Sequence, residues 1–240
     1  MTAATFVVDG APAPGPFVLT GPEGRHAVTV KRMAIGETVW LVDGHGSRST
    51  ATVTRAEGKD NLHVEVTDRV ELPPATPTVT VIQALPKSDR QELTVDLLTQ
   101  GGADVIVPWE AERCIAKWQP KKAAKWENAA VAAAKQSRRA RFPHIMKPNA
   151  LDEALDGADL VLVLHEEAAR PLSVVDFSGV KSVVLIVGPE GGLSPAEVER
   201  FTEAGAHPVL LGPEVLRTAT AGFAALAAIG VKTSRWLVES

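Results

Sequence analysis

Hydrophobic positions along the chain follow two patterns, and the change falls near residue 75. Before it, short strand-like runs are separated by turn signals such as residues 43–46 (DGHG) and 57–60 (EGKD). The predicted strands are Thr5–Val8, Phe17–Leu19, Thr38–Val42, Ser49–Ala56 and Leu62–Arg69, with a short helix over His26–Met33. Strands so short and closely spaced favour a small β-barrel.

After residue 77 the pattern becomes an alternation of strands and helices. The proline-rich stretch Leu72–Pro77 breaks any regular element and marks the predicted boundary between a domain over residues 1–72 and one over 78–240. The predicted strands are Thr78–Ala84, Val105–Val107, Leu160–Leu164, Val183–Val187 and Val209–Leu211. The predicted helices are Arg90–Gln100, Lys121–Gln136, Pro195–Glu203 and one from about Thr220 to Lys232. This alternation predicts an α/β fold with a mostly parallel sheet.

Two glycine-containing segments follow predicted strands, namely residues 188–194 (GPEGGLS) and 211–218 (LGPEVLRT). Ligands of open α/β sheets bind beyond the carboxyl ends of the strands, so two such segments predict a pocket there. Ser194, Pro195 and Glu197 match a helix-capping box, which is a sufficient structural explanation for them. The glycines do not have one: a single glycine makes a turn, whereas three predict close approach of the backbone to a ligand.

Composition narrows the class of protein. At 45% hydrophobic and 22% charged residues, the 240-residue chain is typical of soluble globular proteins, and without a leader or membrane-length run we expect it in the cytoplasm. The single cysteine, Cys114, excludes an intramolecular disulfide and a thiolate cluster, and no metal is expected. The fingerprints of dinucleotide, P-loop and serine hydrolase sites are absent, which disfavours a nucleotide-dependent oxidoreductase. A backbone-lined pocket for a flat heterocycle remains.

Charge is distributed unevenly. Between Lys117 and Lys147 there are nine basic residues and one acid, a net charge of +8, so the rest of this chain of net charge −4 carries −12. Such a segment is either a phosphate-binding surface or a solvated helix face. Its densest part, residues 135–141 (KQSRRAR), slightly favours phosphate.

The paired C-terminal segments closely resemble those of the RsmE family of 16S ribosomal RNA (uracil-N3)-methyltransferases, in the SPOUT superfamily. Similarity covers nearly the whole chain. It includes Lys87–Arg90 (KSDR), Glu112–Cys114 (ERC), the Gln136–Arg138 segment with Arg141 and Pro143, and His26, Arg32 and Gly36. The chain departs from the family pattern at Leu97, Gln100, Arg139, Glu214 and Ala219, which indicates a divergent branch.

The resemblance implies a small PUA-like β-barrel that docks RNA, followed by a SPOUT domain with a C-terminal trefoil knot. It also implies that the protein is a homodimer that binds S-adenosyl-L-methionine in the knot and acts on 16S rRNA or the small ribosomal subunit. The cofactor-binding residues it implies are Leu164, His165, Gly188, Gly191, Gly192, Leu211, Gly212, Leu216 and Thr218. The RNA-binding residues are His26, Arg32, Lys87, Arg90, Arg138, Arg139 and Arg141.

Arg217 and Glu190 are the candidate catalytic residues. Arg217 either stabilises charge on the substrate or forms an ion pair with Glu190 or Glu214. Glu190 receives the N3 proton, orients the cofactor or caps a turn. For His26, and for Lys87 and Arg90 beside Asp89, structural roles compete with RNA contact. The alternative function is a catalytically silent RNA-binding or ribosome-assembly factor on the same fold.

Overall fold

The structure, a computed structural model, describes residues 3–237. Two compact units are present. The first contains the chain up to Pro74 together with Ala134–Phe142, and the second contains Ala75–Ala133 and the chain from Pro143 onward. The first unit is therefore discontinuous in sequence, which the predicted bounds of 1–72 and 78–240 do not anticipate. The outermost residues of those predicted domains, 1–2 and 238–240, lie outside the described residues.

The first unit is built on one five-stranded sheet. Its strands are β1 (Ala4–Val7), β2 (Gly15–Leu19), β3 (Thr38–Val42), β4 (Ser47–Glu57) and β5 (Asn61–Glu71). Their order is β1-β3-β4-β5-β2, antiparallel except for the parallel pair β1 and β3. Alternate residues of β4 and β5 point into a core around Phe6, Leu41 and Leu62, all fully buried.

Two short helical segments and the end of a later helix complete this unit. Helix α1 (Gly21–Arg25) runs directly into a π-helical turn, His26–Val30, where a single helix over His26–Met33 was expected. Glu23 of α1 accepts the backbone N–H of Val7 at 3.0 Å and pairs with the ammonium of Lys135 at 2.6 Å. Its carboxylate thus joins α1, β1 and residues 134–142.

The second unit is an α/β domain with a wholly parallel six-stranded sheet. Its strands are β6 (Thr78–Ala84), β7 (Val105–Trp109), β8 (His144–Ile145), β9 (Leu160–Leu164), β10 (Ser182–Val187) and β11 (His207–Val209). Its helices are α2 (Gln91–Gly101), α3 (Lys121–Gln136, whose last turn belongs to the first unit), α4 (Leu151–Leu155), α5 (Pro195–Glu203) and α6 (Thr218–Lys232).

The strand order β11-β9-β10-β6-β7-β8 places β10 near the middle of this sheet. Residues Val183–Val187 are at most 2% exposed, as expected for a parallel strand covered on both faces. Because β9, β10 and β11 are adjacent and parallel, their carboxyl ends meet at one edge. The α/β fold with a parallel sheet is confirmed, and the segments predicted to bind a ligand are brought together at that edge.

Short elements such as α1, β8 and α4 were not predicted, because two to five residues are too few for a periodic pattern. Strand β11 begins two residues before the predicted start and ends at Val209. The trefoil knot is a matter of how the chain threads through itself, which strand order alone does not establish. It stays a prediction.

Candidate functional site

A cavity of about 280 Å³ lies at the carboxyl ends of β9, β10 and β11, within the second unit. Three loops form it: the first follows β9, the glycine loop (residues 188–194) follows β10, and the third (residues 210–217) joins β11 to α6. Eight of the nine predicted cofactor-binding residues line it: Leu164, His165, Gly188, Gly192, Leu211, Gly212, Leu216 and Thr218. Arg217 and Glu190 line it as well, and Gly191 does not.

Each glycine of the glycine loop has a reason within the protein. A Cβ on Gly188 would lie 3.0 Å from Cγ of Leu193, and one on Gly191 would lie 3.2 Å from Cβ of Arg113. Gly192 adopts a φ of +71° in a turn closed by its N–H to the carbonyl of Pro189 at 3.0 Å. Packing at Gly188 and Gly191 and the backbone conformation of Gly192 are thus reasons within the chain that stand beside the ligand approach expected from the sequence.

The glycine loop ends in the predicted capping box of α5. The Ser194 hydroxyl accepts the N–H of Glu197 at 3.3 Å, and the Glu197 carboxylate accepts the N–H of Ser194 at 2.8 Å. The same carboxylate, through Oε1, accepts the N–H of Glu112 at 2.7 Å. The segment after β7 is thereby attached to the start of α5.

Two further contacts join the glycine loop to neighbouring loops. Oε1 of Glu190 accepts the backbone N–H of Lys87 at 3.1 Å, so this carboxylate bridges to the segment after β6. Nη1 of Arg113 donates to the carbonyls of Gly191 at 3.1 Å and Leu193 at 3.3 Å. Arg113 was not among the predicted site residues. Its position within the family-like segment Glu112–Cys114 was the only sequence signal for it.

Arg217 begins helix α6 through its backbone while its side chain is exposed. Its carbonyl accepts the N–H groups of Thr220 and Ala221 at 2.8 and 2.9 Å. Within residues 3–237, its guanidinium forms no ion pair with Glu190 or Glu214, so that structural alternative is not realised. The cation is left available to a ligand at the cavity rim.

The loop after β9 contributes an imidazole. Nδ1 of His165 accepts the N–H of Glu167 at 3.2 Å, which places the ring proton of the neutral form on Nε2. Carboxylates of Glu166, Glu190 and Glu214 also line the cavity. The three acids favour a ligand that carries positive charge, and the arginine favours one that also has an anionic group.

Cys114 lies close to this loop system without offering reactive chemistry. Its thiol is buried and weakly hydrogen-bonded to the carbonyls of Leu85 at 3.5 Å and Trp109 at 3.8 Å. Burial raises the pKa of the Cys114 thiol above its ordinary value. The group therefore stays protonated at neutral pH, and it packs as a small apolar residue.

The predicted RNA-binding residues divide between the two units. In the first, Arg32 and Arg138 are exposed and both have positive φ, +53° and +59°. His26 is half-buried and packs edge-on against Phe6, with ring centroids 6.1 Å apart. Lys87 and Arg90 lie in the second unit, where the backbone N–H of Lys87 is bonded to Glu190 of the glycine loop, and among the described residues neither side chain pairs with Asp89.

Arg141 has a structural role that the sequence did not indicate. Its Nε donates to the carbonyl of Leu72 at 2.9 Å, and its guanidinium packs on Gly46, where a Cβ would lie within 3 Å of it. Lys135 is likewise engaged by Glu23. Of the basic run 135–141, Arg138 is thus the exposed arginine, while Arg139 is half-buried.

Three comparisons relate the chain to known proteins. A model described as RNA methyltransferase domain matches residues 73–230, and one described as RNA methyltransferase PUA domain matches residues 19–67. Ribosomal RNA small subunit methyltransferase E of Mycobacterium bovis is 44% identical over 248 residues, 98% of this chain and 94% of that protein. The Bacillus subtilis protein of the same name is 34% identical, over 90% of each chain.

Structural similarity agrees with these matches. A crystal structure of ribosomal RNA small subunit methyltransferase E from Neisseria gonorrhoeae, bound to S-adenosyl methionine, has a TM-score of 0.82 and 30% identity. The match covers 96% of this chain and 98% of that one. Among residues 3–237, no helix is long and apolar enough to cross a membrane, and no cluster of three or more His, Cys, Asp or Glu side chains is placed to hold a metal ion.

Proposed function

The chain belongs to the ribosomal RNA small subunit methyltransferase E family, and from this premise we propose that it transfers a methyl group from S-adenosyl-L-methionine to N3 of a uridine in 16S rRNA. The observation that carries the proposal is the three-loop cavity with Arg217 on its rim. The proposal is also supported by the parallel sheet with a pocket at its strand ends, and by the family matches, which cover parts of both units.

The lining of the cavity suits this cofactor. Backbone of Gly188 and Gly212 lies open to the ligand, Leu211 and Leu216 offer apolar surface for an adenine ring, and three carboxylates favour the positive sulfonium and ammonium groups. When bound, S-adenosyl-L-methionine supplies an electrophilic methyl group.

Arg217 is proposed to act on the substrate base. N3 of uracil becomes nucleophilic as its proton leaves, and negative charge then spreads onto the flanking carbonyl oxygens. An unpaired guanidinium at the rim donates hydrogen bonds to those oxygens and stabilises the charge. Glu190, on the same rim, is proposed to accept the proton or to orient the cofactor amine.

RNA is proposed to contact both units. His26, Arg32, Arg138, Arg139 and Arg141 lie in the first unit, where the PUA match supports docking of 16S rRNA or the small subunit. Lys87 and Arg90 lie in the second unit, and the backbone of Lys87 contacts Glu190 of the glycine loop. A cytoplasmic location follows from this substrate.

A homodimer is proposed to complete the site. Val215 lines the cavity and is 80% exposed, and Leu216 beside it is 41% exposed. Since contiguous exposed apolar surface marks interaction sites, we expect a second copy of the chain to cover these side chains. Sedimentation at micromolar concentration should give about twice the 25.4 kDa chain mass, whereas a monomer at all concentrations contradicts the dimer.

Two measurements test the activity. Calorimetry of the intact protein should detect S-adenosyl-L-methionine binding, and mass spectrometry of rRNA nucleosides should find 3-methyluridine lost from cells that lack the protein and restored by the gene. Binding without methylation, or no binding at all, would favour the silent RNA-binding or assembly factor. Methylation at another atom would leave the enzyme class and overturn the N3 assignment.

A further inference from the structure

Arg113 does not line the cavity, but its guanidinium contacts the backbone of the glycine loop. Its Nη1 reaches the carbonyls of Gly191 and Leu193, two residues apart, at 3.1 and 3.3 Å. These donors are charged, and hydrogen bonds from a charged donor are about twice as strong as neutral ones. One side chain therefore holds two peptide groups of the same turn.

Packing adds a second, independent observation. The backbone of Gly191 approaches the side chain of Arg113 so closely that a Cβ there would lie 3.2 Å from Cβ and 3.7 Å from Cδ of the arginine. Gly192 has Nη1 of the same arginine 4.0 Å from the position of a Cβ. The loop thus packs against the aliphatic part of the Arg113 side chain as well as against its guanidinium.

The segment that carries Arg113 is itself fixed. The N–H of Glu112 is bound by Glu197 at 2.7 Å, and the N–H of Cys114 closes a turn on the carbonyl of Ala111 at 2.9 Å. Trp109, at the end of β7, packs edge-on against Phe201 of α5, with centroids 5.3 Å apart. Because the backbone around Arg113 is held in place and its guanidinium is bonded to the glycine loop, the side chain can fix the conformation of that loop.

We propose that Arg113 is a positioning residue that holds the glycine loop in the conformation that binds the cofactor. This inference rests on the proposed function, since it concerns the same site. It assigns Arg113 no contact with the methyl group or with the substrate base. It explains why Gly191, which does not line the cavity, still belongs to the glycine loop: its missing side chain makes room for the arginine.

The test compares Arg113→Ala and Arg113→Lys with Arg200→Ala, which removes an exposed arginine of α5 that pairs only with Asp152 among the described residues, at 3.3 Å. We expect the dissociation constant of S-adenosyl-L-methionine, measured by calorimetry, to rise about tenfold or more in Arg113→Ala because two charged hydrogen bonds are lost. Arg113→Lys should be intermediate, since the ammonium keeps the charge on a side chain that ends one atom short of the position of Nη1. The KM for the cofactor should rise more than the KM for RNA. Affinity within twofold of the control would overturn the proposal.

Hydrogen exchange of residues 188–194 in the cofactor-free protein is the second readout. Exchange in this loop should be faster in both Arg113 variants than in Arg200→Ala. Unchanged exchange there would contradict the positioning role of Arg113. If Arg113→Ala does not fold, Arg113→Lys alone decides by the same two readouts. If the wild-type protein binds no S-adenosyl-L-methionine, the proposed function fails, while the exchange comparison still tests whether Arg113 holds the glycine loop.

Discussion

At the scale of single residues, Arg217 separates structural and chemical roles within one position. Its backbone carbonyl caps the start of α6, whereas its side chain is exposed and, in residues 3–237, free of ion pairs. Truncating the side chain therefore leaves the helix start intact.

The first prediction follows from that separation. Arg217→Ala should lower kcat by about 100-fold or more, the size of effect seen when one donor to a developing oxyanion is removed. The melting temperature should stay within about 2 °C of wild type, because surface truncations away from special contacts change stability little. Single-turnover methylation and calorimetric melting check the two halves. Turnover equal to that of Arg200→Ala would remove Arg217 from the mechanism.

Residue-scale reasoning from sequence located the candidate site but did not anticipate the packing reasons for some of its residues. The segments 188–194 and 211–218 were identified correctly as strand-end loops, because apolar runs closed by glycine leave few other interpretations. The reason for Gly191 was not visible, because its neighbour Arg113 is 78 positions away in the chain. A glycine that accommodates a distant side chain looks the same in sequence as one that accommodates a ligand.

At the scale of elements, helices α2 and α6 pack closely through glycine on each helix. A Cβ on Gly222 would lie 2.6 Å from Cδ2 of Leu98, and one on Gly101 would lie 3.0 Å from Cδ1 of Leu226. Glycine on each helix thus faces leucine on the other, which lets the two backbones approach. Since α6 begins at the third loop of the cavity, this packing also fixes where that loop ends.

The second prediction concerns this helix pair. Gly222→Ala should destabilise the protein by about 1 kcal/mol, because overpacking against fully buried Leu98 exceeds the gain of helix propensity from replacing glycine. In a Leu98→Val background, where the clashing methyl is removed or displaced, the same change should cost less. Urea unfolding of the four proteins measures the coupling. A stabilising Gly222→Ala in the wild-type background contradicts the packing argument.

The third prediction concerns the start of strands β9 and β10, which Asp159 joins. Its carboxylate accepts the N–H of Lys181 and the N–H and hydroxyl of Ser182, at 2.9, 2.9 and 3.1 Å. The backbone N–H of Lys181 and then the groups of Ser182 lower the pKa of Asp159 below its ordinary value. The stabilisation is therefore present above the unfolded pKa of about 3.9 and is lost as pH falls through the folded pKa.

Asp159→Asn should accordingly be less stable than wild type at pH 7 and show a flatter loss of stability below about pH 4. Urea unfolding between pH 7 and pH 3 measures both. Asp152→Asn, at a carboxylate that is 92% exposed, is the control for a general change in net charge. Parallel acid profiles for wild type and Asp159→Asn would show that these hydrogen bonds carry no net stabilisation.

At the scale of the whole molecule, the chain order hides part of the organisation. The hydrophobic pattern predicted both sheets and most helices, because the period of a long segment distinguishes a strand from a helix. It could not assign residues 134–142 to the first unit, since that depends on Glu23 pairing with Lys135 and on Arg141 reaching Leu72. Long-range polar contacts leave no periodic trace, so a basic run read as one surface proved to be partly structural.

The fourth prediction separates the two uses of that basic run. Arg138 is exposed, whereas Lys135 and Arg141 are engaged within the first unit. If Arg138 contacts phosphate, Arg138→Gln should weaken RNA binding and reduce the slope of log Kd against log salt by about 0.7 to 1, the release of one counterion. Arg55→Gln is the matched control, because that guanidinium is exposed in the same unit but paired with Glu57 at 2.7 Å. Equal slopes for the two variants would mean that this part of the basic segment serves the fold and not the RNA.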